Sequence, residues 1–285
     1  MIQHCPPGCE TERSKYCRHP PLGNPLHYAA FCGLQDVVKD LAVEYPEDVN
    51  SRIFDHESTP LYLASREGQV EAARTLIEHG ADMAARNKDG ETPLHRASYE
   101  GHMELTRLLL EHTADTTAQS KSGDTPLHRE SEKGHLGIAR LLVEHGANVT
   151  AQTKDGATPL HQASVWGHLE LARFLVEHGA DVTAQNLGGM TPLHWVSEGG
   201  NVDIAKLLIE HGADAAAQAT YGVTPLHWAS ERGHLELARL LITHGADPAA
   251  QNNDGQTPLH WASEAGHADF ARLLPGDSAD PVTPG

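Results

Sequence analysis

The chain has 285 residues, of which 39% are hydrophobic and 5% aromatic, so any core must be aliphatic. Acidic side chains outnumber basic ones by 39 to 21, and the formal net charge is -18. This charge repels nucleic-acid phosphates and anionic membrane surfaces, which are therefore not expected as partners. The chain shows neither a secretory signal nor a run of roughly 18 apolar residues that could span a membrane. We expect an intracellular, cytoplasmic protein.

The N-terminal residues, 1–22, are predicted to form a flexible tail that precedes the folded part of the chain. They hold three of the four cysteines, and Cys5, Cys9, Cys17 and His19 could supply four zinc ligands. The spacing of these four residues fits no zinc-finger pattern, and the flanking prolines suit a flexible tail. We therefore expect neither a metal site nor a cofactor.

A repeat of fixed length organises the rest of the chain. Thr-Pro-Leu begins at seven positions, each 33 residues after the last: Thr59, Thr92, Thr125, Thr158, Thr191, Thr224 and Thr257. A variant copy, NPLHYAAFCG, begins at Asn24, which is 35 residues before Thr59. Two extra residues are thus expected in the loop EYPEDVNSRIFDHES. Eight units are predicted over residues 23–274, the last of them truncated, because a fixed period of this length indicates a repeat architecture.

Each unit predicts two short antiparallel helices followed by a turn. Thr is a favourable N-cap and Pro suits the first helical position, so TPLHWASERG predicts a short helix that ends at glycine. The following segment, HLELARLLITHG, places Leu235, Ala238, Leu241 and Ile242 on one face at helical spacing. One such pair cannot bury its apolar face alone, so the units are expected to stack.

The motifs TPLH, GH and HGAD, together with the period, resemble the ankyrin repeat family over about residues 24–274. The resemblance implies an all-α solenoid of about eight stacked helix-turn-helix units, with projecting finger turns and a concave face that binds other proteins. It also implies that the motif histidine hydrogen-bonds the Thr and neighbouring backbone. Two units depart from the pattern: Tyr62 replaces the motif histidine, and Glu130 stands where most units have alanine. Because a buried carboxylate costs free energy unless paired, the fourth unit is expected to be a weak point.

The histidines at first suggest catalysis or metal binding, since there are 21 of them. Eighteen, however, recur at three repeat positions: seven at the TPLH histidine position, five after the mid-repeat glycine and six before the position of the second glycine. A residue that every unit shares cannot mark a single active site. The chain also lacks the nucleophile-elbow, phosphate-loop, H-E-x-x-H and C-x-x-C motifs. We expect no catalytic residues and no enzymatic activity.

The positions that differ between units are the candidates for recognition. The residue after TPLH, or after its Tyr62 equivalent, runs along the chain as Leu63, Arg96, Arg129, Gln162, Trp195, Trp228 and Trp261. Trp166 lies one turn after Gln162 on the same helix. Finger tips of the sixth and seventh units are predicted to be apolar, with Leu187, Met190, Tyr221 and Val223. Trp and Arg are the residues most enriched at binding hot spots.

We therefore predict a partner-binding surface with an apolar centre. The apolar patch is defined as Trp166, Met190, Trp195, Tyr221 and Trp228, and it is expected to dock a protein or peptide. Arg96 and Arg129 are expected to attract an acidic segment, and Trp261 completes the row of indoles. The alternative is that these indoles pack between neighbouring first helices. Because such helices lie about 10 Å apart, the three indoles of the row are expected not to contact one another.

The C-terminal unit, HADFARLLPGDSADPVTPG, is expected to be an incomplete cap. Pro275 would end its helix and leave Leu273 and Leu274 apolar, so this end frays, packs on another chain or belongs to a longer protein. Residues 275–285 are predicted to be disordered. Two functions follow: a non-catalytic scaffold or adaptor, or a detached ligand-sensing module of a larger nucleotide-binding receptor-type protein.

Overall fold

The computed structural model describes residues 23–53 and 56–274. The predicted tails at 1–22 and 275–285, including the Cys5, Cys9, Cys17 and His19 cluster, lie outside the described residues. Within the described part the chain forms 15 α-helices and no strand. The predicted all-α fold of helix-turn-helix units is thus confirmed.

The helices come in pairs, one pair to each repeat. Their bounds are α1 Pro25–Cys32 and α2 Gln35–Glu44; α3 Pro60–Glu67 and α4 Val70–Glu78; α5 Pro93–Glu100 and α6 Met103–Glu111; α7 Pro126–Ser131 and α8 Leu136–Glu144; α9 Pro159–Trp166 and α10 Leu169–Glu177; α11 Pro192–Gly199 and α12 Val202–Glu210; α13 Pro225–Glu231 and α14 Leu235–Thr243; and α15 Pro258–Glu264. In the eighth repeat a 3-10 helix, Ala268–Arg272, takes the place of the second helix. The longer first loop contains another 3-10 helix, Pro46–Asn50.

The chain divides into two compact units, and the division falls within the fourth repeat. Of the described residues, one unit comprises those up to Glu130 together with Arg140–Ala147, and the other comprises Ser131–Ala139 and those from Asn148 onward. In the first unit α3 packs between α1 and α5, and α4 packs between α2 and α6. In the second unit α9, α11, α13 and α15 pack in that order, as do α10, α12 and α14. Successive repeats in each unit are therefore stacked first helix on first helix and second helix on second helix.

The repeat motif builds each first helix at both ends. In α15 the side chain of Thr257 accepts from the backbone N–H of His260, and the His260 ring accepts from the backbone N–H of Thr257 at 2.9 Å. This reciprocal pair satisfies two N–H groups that the start of a helix leaves unpaired. At the other end, Gly200 follows α11 with φ 80°, a left-handed conformation that glycine adopts without steric cost. The predicted helix starts and stops are confirmed.

The core consists of one leucine from each motif and an apolar stripe from each second helix. Leu160, Leu193 and Leu226, the motif leucines of three successive repeats, are each 0% exposed. The stripe of α14 was predicted only in part. Ala238 and Leu241 are buried as expected, but the third buried residue is Leu237, whereas Leu235 and Ile242 are half-buried.

The histidine after the mid-repeat glycine joins neighbouring repeats, a role that sequence analysis did not assign. His234 Nε2 lies 3.2 Å from the carbonyl oxygen of Glu198, and His267 Nε2 lies 3.0 Å from that of Glu231. Asn201 takes the same position in the sixth repeat, with its amide nitrogen 3.3 Å from the Ser164 carbonyl oxygen. Each bond satisfies a carbonyl near the end of the preceding first helix, where helices leave carbonyls unpaired.

The last described residues of the array bury two of their apolar side chains. Phe270 and Leu274 are 1% and 2% exposed, and Leu273 is half-buried. The chain forms a 3-10 helix here, and this helix packs against α15.

Candidate partner-binding surface

The motif histidines attach each first helix to the finger that follows it. In the sixth repeat, His194 Nδ1 accepts from the backbone N–H of Thr191 at 3.1 Å, and His194 Nε2 lies 3.2 Å from the Val223 carbonyl oxygen. The ring is 0% exposed, and burial lowers the pKa of His194 to about 4. A neutral ring with its proton on Nε2 satisfies both contacts. The same arrangement recurs at His95, His161 and His227. The role implied for the motif histidine is confirmed.

Two indoles of the tryptophan row pack on the motif histidine of the preceding repeat. The Trp195 ring meets His161 edge to face with centroids 5.3 Å apart, and Trp261 meets His227 at the same distance. Both indoles are half-buried. Packing between neighbouring first helices, the alternative interpretation of the row, therefore describes these rings.

The expectation that the indoles of the row stay apart is wrong for one pair. Trp228 and Trp261 meet edge to face, with centroids 5.8 Å apart and planes at 86°. The spacing of helix axes overestimates the spacing of the rings, because a tryptophan side chain extends several Å from its own backbone. Such pairs contribute roughly 0.5–1.5 kcal/mol beyond their area burial.

The polar edges of the indoles have different surroundings in different repeats. Trp261 Nε1 donates to Gln256 Oε1 at 3.0 Å, and Gln256 Nε2 donates to Glu264 Oε1 at 3.3 Å. Among the described residues, the buried Nε1 atoms of Trp195 and Trp228 have no hydrogen-bond partner. Sequence analysis did not single out Gln256, although its place one residue before a Thr-Pro-Leu motif was visible.

Three large apolar side chains of the second unit are well exposed. Trp166 at the end of α9 is 61% exposed, and Leu187 and Tyr221 at the finger tips are 78% and 70% exposed. Met190 is half-buried at the base of its finger. The fingers are joined tip to tip, since the Thr220 N–H donates to the Gly188 carbonyl at 2.8 Å. The predicted apolar tips at Leu187 and Tyr221 therefore lie on neighbouring, connected fingers.

The two arginines of the candidate surface are both in ion pairs with the chain's own carboxylates. Arg96 lies 2.6 Å from Glu100, and Arg129 lies 2.9 Å from Glu91 and 3.7 Å from Asp124. An acidic partner segment would have to compete with these carboxylates. Sequence analysis did not identify Glu91 and Asp124. Their position could have indicated them, because each lies five residues before one of the two arginines.

Tyr62, the residue that replaces a motif histidine, joins this polar cluster. Its hydroxyl donates to Glu91 Oε2 at 2.8 Å and accepts from Asn87 Nδ2 at 2.9 Å. Burial, and then the charge of Glu91, raise the pKa of Tyr62 well above its ordinary value. The hydroxyl thus stays protonated and keeps donating to Glu91.

Comparison with known proteins places this architecture in a family. A sequence profile described as "Ankyrin repeats (3 copies)" matches residues 26–120, 114–186, 185–252 and 217–283. The chain belongs to the ankyrin-repeat family. Two curated relatives, the Protein phosphatase 1 regulatory subunit 27 of Homo sapiens and that of Mus musculus, are each 40% identical over 74 residues. That segment is 26% of this chain and 46% of the relative, so the match spans about half the length of each relative.

Ankyrin repeats are protein-interaction modules. Within residues 23–53 and 56–274, no group of three or more His, Cys, Asp or Glu side chains is placed to hold a metal ion. In the same part of the array, no helix is both long and apolar enough to cross a membrane.

Loss of Arg129 is expected to destabilise the ankyrin array. The side chains of Glu91 and Asp124 are only 11% and 9% exposed, so Arg129→Ala leaves two carboxylates without this cation in a poorly hydrated site. We expect the free energy of unfolding to fall by about 3 kcal/mol, as for a buried pair that loses one partner. Urea denaturation followed by circular dichroism measures the change. Arg74→Ala, which breaks an exposed pair with Glu71, is the control and should cost well under 1 kcal/mol; equal losses would contradict the assignment.

Proposed function

We propose that this ankyrin array is a non-catalytic scaffold or adaptor that binds a protein or peptide partner on the surface formed by its first helices and fingers. The observation that carries the proposal is the exposure of Trp166, Leu187 and Tyr221. Folding normally removes such large apolar side chains from water, and exposed apolar side chains on connected fingers, as at Leu187 and Tyr221, mark a contact surface. The apolar patch and the adjoining Leu187 are the proposed centre of that surface.

The backbone at Tyr221 supports the same proposal. Its φ is 64°, in the left-handed region that bulky residues rarely adopt. Holding a non-glycine residue there costs about 1 kcal/mol or more, and such strain clusters at functional sites. The exposed phenol gains no burial in return, since it is 70% exposed. A partner that covers the ring would account for both features.

The remaining candidate residues have supporting roles in the proposal. Trp261 holds the ring of Trp228 through their edge-to-face contact. Arg96 and Arg129 contribute to partner binding where an acidic segment displaces the carboxylates that now pair with them. The net charge of -18 argues against nucleic acid and anionic membranes as partners.

The relatives support the non-catalytic part of the proposal. By name they are regulatory subunits, and the matched segment is 26% of this chain. We carry over only this class of role, a protein that acts by binding another protein.

Removal of the exposed side chains tests the proposal. We expect the triple variant Trp166→Ala, Leu187→Ser, Tyr221→Ala to lose at least tenfold of the partner captured by the wild-type chain, because hot-spot side chains each contribute about 2 kcal/mol. Quantitative pull-down with equal amounts of the two proteins measures the loss. Helix content should be unchanged, since the three side chains are exposed.

The chain offers a matched control in α2, which belongs to the other compact unit. Val37→Ser and Val43→Ser remove side chains of α2 that are 44% and 66% exposed. This variant should capture the partner as the wild type does. If the control loses the partner and the triple variant keeps it, the proposed surface is wrong.

A further inference from the structure

We propose that Trp228 and Glu231 together bind the side-chain amide of an asparagine or glutamine presented by the partner. This inference rests on the proposed function, because it names the chemistry that the partner brings to the apolar patch. Trp228 and Glu231 lie three residues apart on α13, so they are neighbours on one helix face. Both residues are half-buried, and the indole nitrogen of Trp228 and one carboxylate oxygen of Glu231 are themselves covered in the free chain.

The eighth repeat shows how this kind of residue pair is satisfied. There Trp261 and Glu264 have the same spacing on α15, and the side chain of Gln256 bridges them. The Gln256 amide accepts from the indole N–H at 3.0 Å and donates to the carboxylate at 3.3 Å. One primary amide thus satisfies both polar groups of the pair.

The seventh repeat has the same Trp and Glu but lacks the amide. Val223 stands at the position of Gln256, 33 residues earlier, and its side chain can neither accept nor donate. Within the described residues, Trp228 Nε1 and Glu231 Oε2 are buried and have no hydrogen-bond partner. Buried polar groups without partners are costly and rare in native proteins, so two of them three residues apart on one helix require an explanation.

The geometry of the pair selects among ligand groups. A carboxylate could accept from the indole N–H but would be repelled by Glu231, and a cation could pair only with Glu231. The N–H and C=O of a trans peptide unit point in opposite directions, so a backbone amide does not engage both groups along one edge. The oxygen and the NH₂ of an Asn or Gln side chain lie side by side and can engage both.

The sixth repeat has only one of the two unpaired polar groups. Trp195 Nε1 also lacks a partner among the described residues, and Met190 stands at the Gln256 position. The carboxylate of Glu198, however, already pairs with Arg232 at 2.8 Å. The complete amide site is therefore the one at Trp228. Tyr221 lies two residues before Val223, so a segment that covers the patch passes this site.

Selection of peptides tests the inference on the full chain. A phage library of random linear peptides is panned against the wild-type protein, and the selected peptides are synthesised. We expect them to combine apolar residues with an Asn or Gln whose replacement by Leu weakens binding about tenfold, the effect of one hydrogen-bonded polar pair.

Two variants of the chain alter the amide site and leave the exposed side chains of Trp166, Leu187 and Tyr221 unchanged. Val223→Gln supplies an internal amide like that of Gln256, and Trp228→Phe removes the indole N–H. Each should weaken peptide binding about tenfold. Gln256→Val is the matched control. It removes the amide that hydrogen-bonds Trp261 and Glu264, and it should not weaken peptide binding. In ¹⁵N-tryptophan spectra of the wild type, the peptide should shift the Trp228 indole N–H resonance and leave that of Trp261 in place.

The outcomes separate the inference from the proposed function. If peptides depend on Trp166 and Tyr221 but bind Val223→Gln and Trp228→Phe as tightly as the wild type, the amide site is wrong and the proposed surface stands. If no selected peptide loses affinity when Trp166 and Tyr221 are replaced by alanine, both are wrong. Peptides that need the patch, an Asn or Gln, and an open Trp228 support both.

Discussion

Acidification from about pH 7 to about pH 5 is expected to destabilise the folded chain by about 2 kcal/mol or more, through the buried motif histidines. His194 alone should contribute about 2 kcal/mol of this loss, given a pKa of about 4 in the folded state and 6.5 as the ordinary value. Burial also lowers the pKa values of His27, His95 and His227. The losses add where the sites are far apart.

The sign of the effect follows from where the protons bind. Between about pH 6.5 and pH 4 the unfolded chain takes up a proton at His194 that the folded chain does not bind. The stability that this histidine supports is therefore fully present above pH 6.5 and is lost as the pH falls towards 4. In the folded state a protonated Nδ1 would face the N–H of Thr191, donor against donor.

The variant His194→Gln isolates one histidine from the other titrating groups. A glutamine side chain at this helix position can still accept from the N-cap backbone N–H, but it does not titrate. Urea denaturation at several pH values should show a difference between wild type and variant that shrinks by about 2 kcal/mol on acidification to about pH 5. A difference that stays constant with pH would contradict the assignment of a neutral, buried His194.

The second large effect concerns a position of the first helix that is alanine in most repeats and glutamate in the fourth. Glu130 and Ala163 occupy equivalent positions in successive repeats, and both are 0% exposed. Ala163→Glu should lower the free energy of unfolding by about 4 kcal/mol or more, because it buries a carboxylate in an alanine-sized site.

Urea denaturation at neutral pH measures the change. An Ala163→Glu chain that unfolds at the same urea concentration as the wild type would contradict the expected cost of a carboxylate buried in this site.

Most of the fold could be predicted because its causes are local. The Thr-Pro start of each first helix and the glycines that end the helices act through their own backbone conformation and nearest hydrogen bonds. The fixed period then required stacking, since one helix pair cannot bury its apolar stripe. Even so, the pattern predicted that Leu235 is buried, whereas the buried residue is Leu237. Periodicity alone does not fix which leucine of the helix faces the core.

The candidate surface was harder to predict because its contacts join residues far apart in sequence. The exposed tips at Leu187 and Tyr221 were visible as apolar residues in turn segments. The contact of Trp228 with Trp261 depends on side-chain direction between repeats, which composition and spacing do not reveal. The pairing of Arg129 with Glu91 likewise joins the first helix of one repeat to a finger 38 residues earlier.

Hydroxyl-radical footprinting of the chain with its captured partner tests the central claim most directly, because tryptophan, tyrosine and methionine side chains report their own exposure. Our account predicts that Trp166 and Tyr221, 61% and 70% exposed in the free chain, become protected severalfold in the complex, whereas Tyr45, at 42%, keeps its rate of modification. Protection of Tyr45 with unchanged rates at Trp166 and Tyr221 would contradict it.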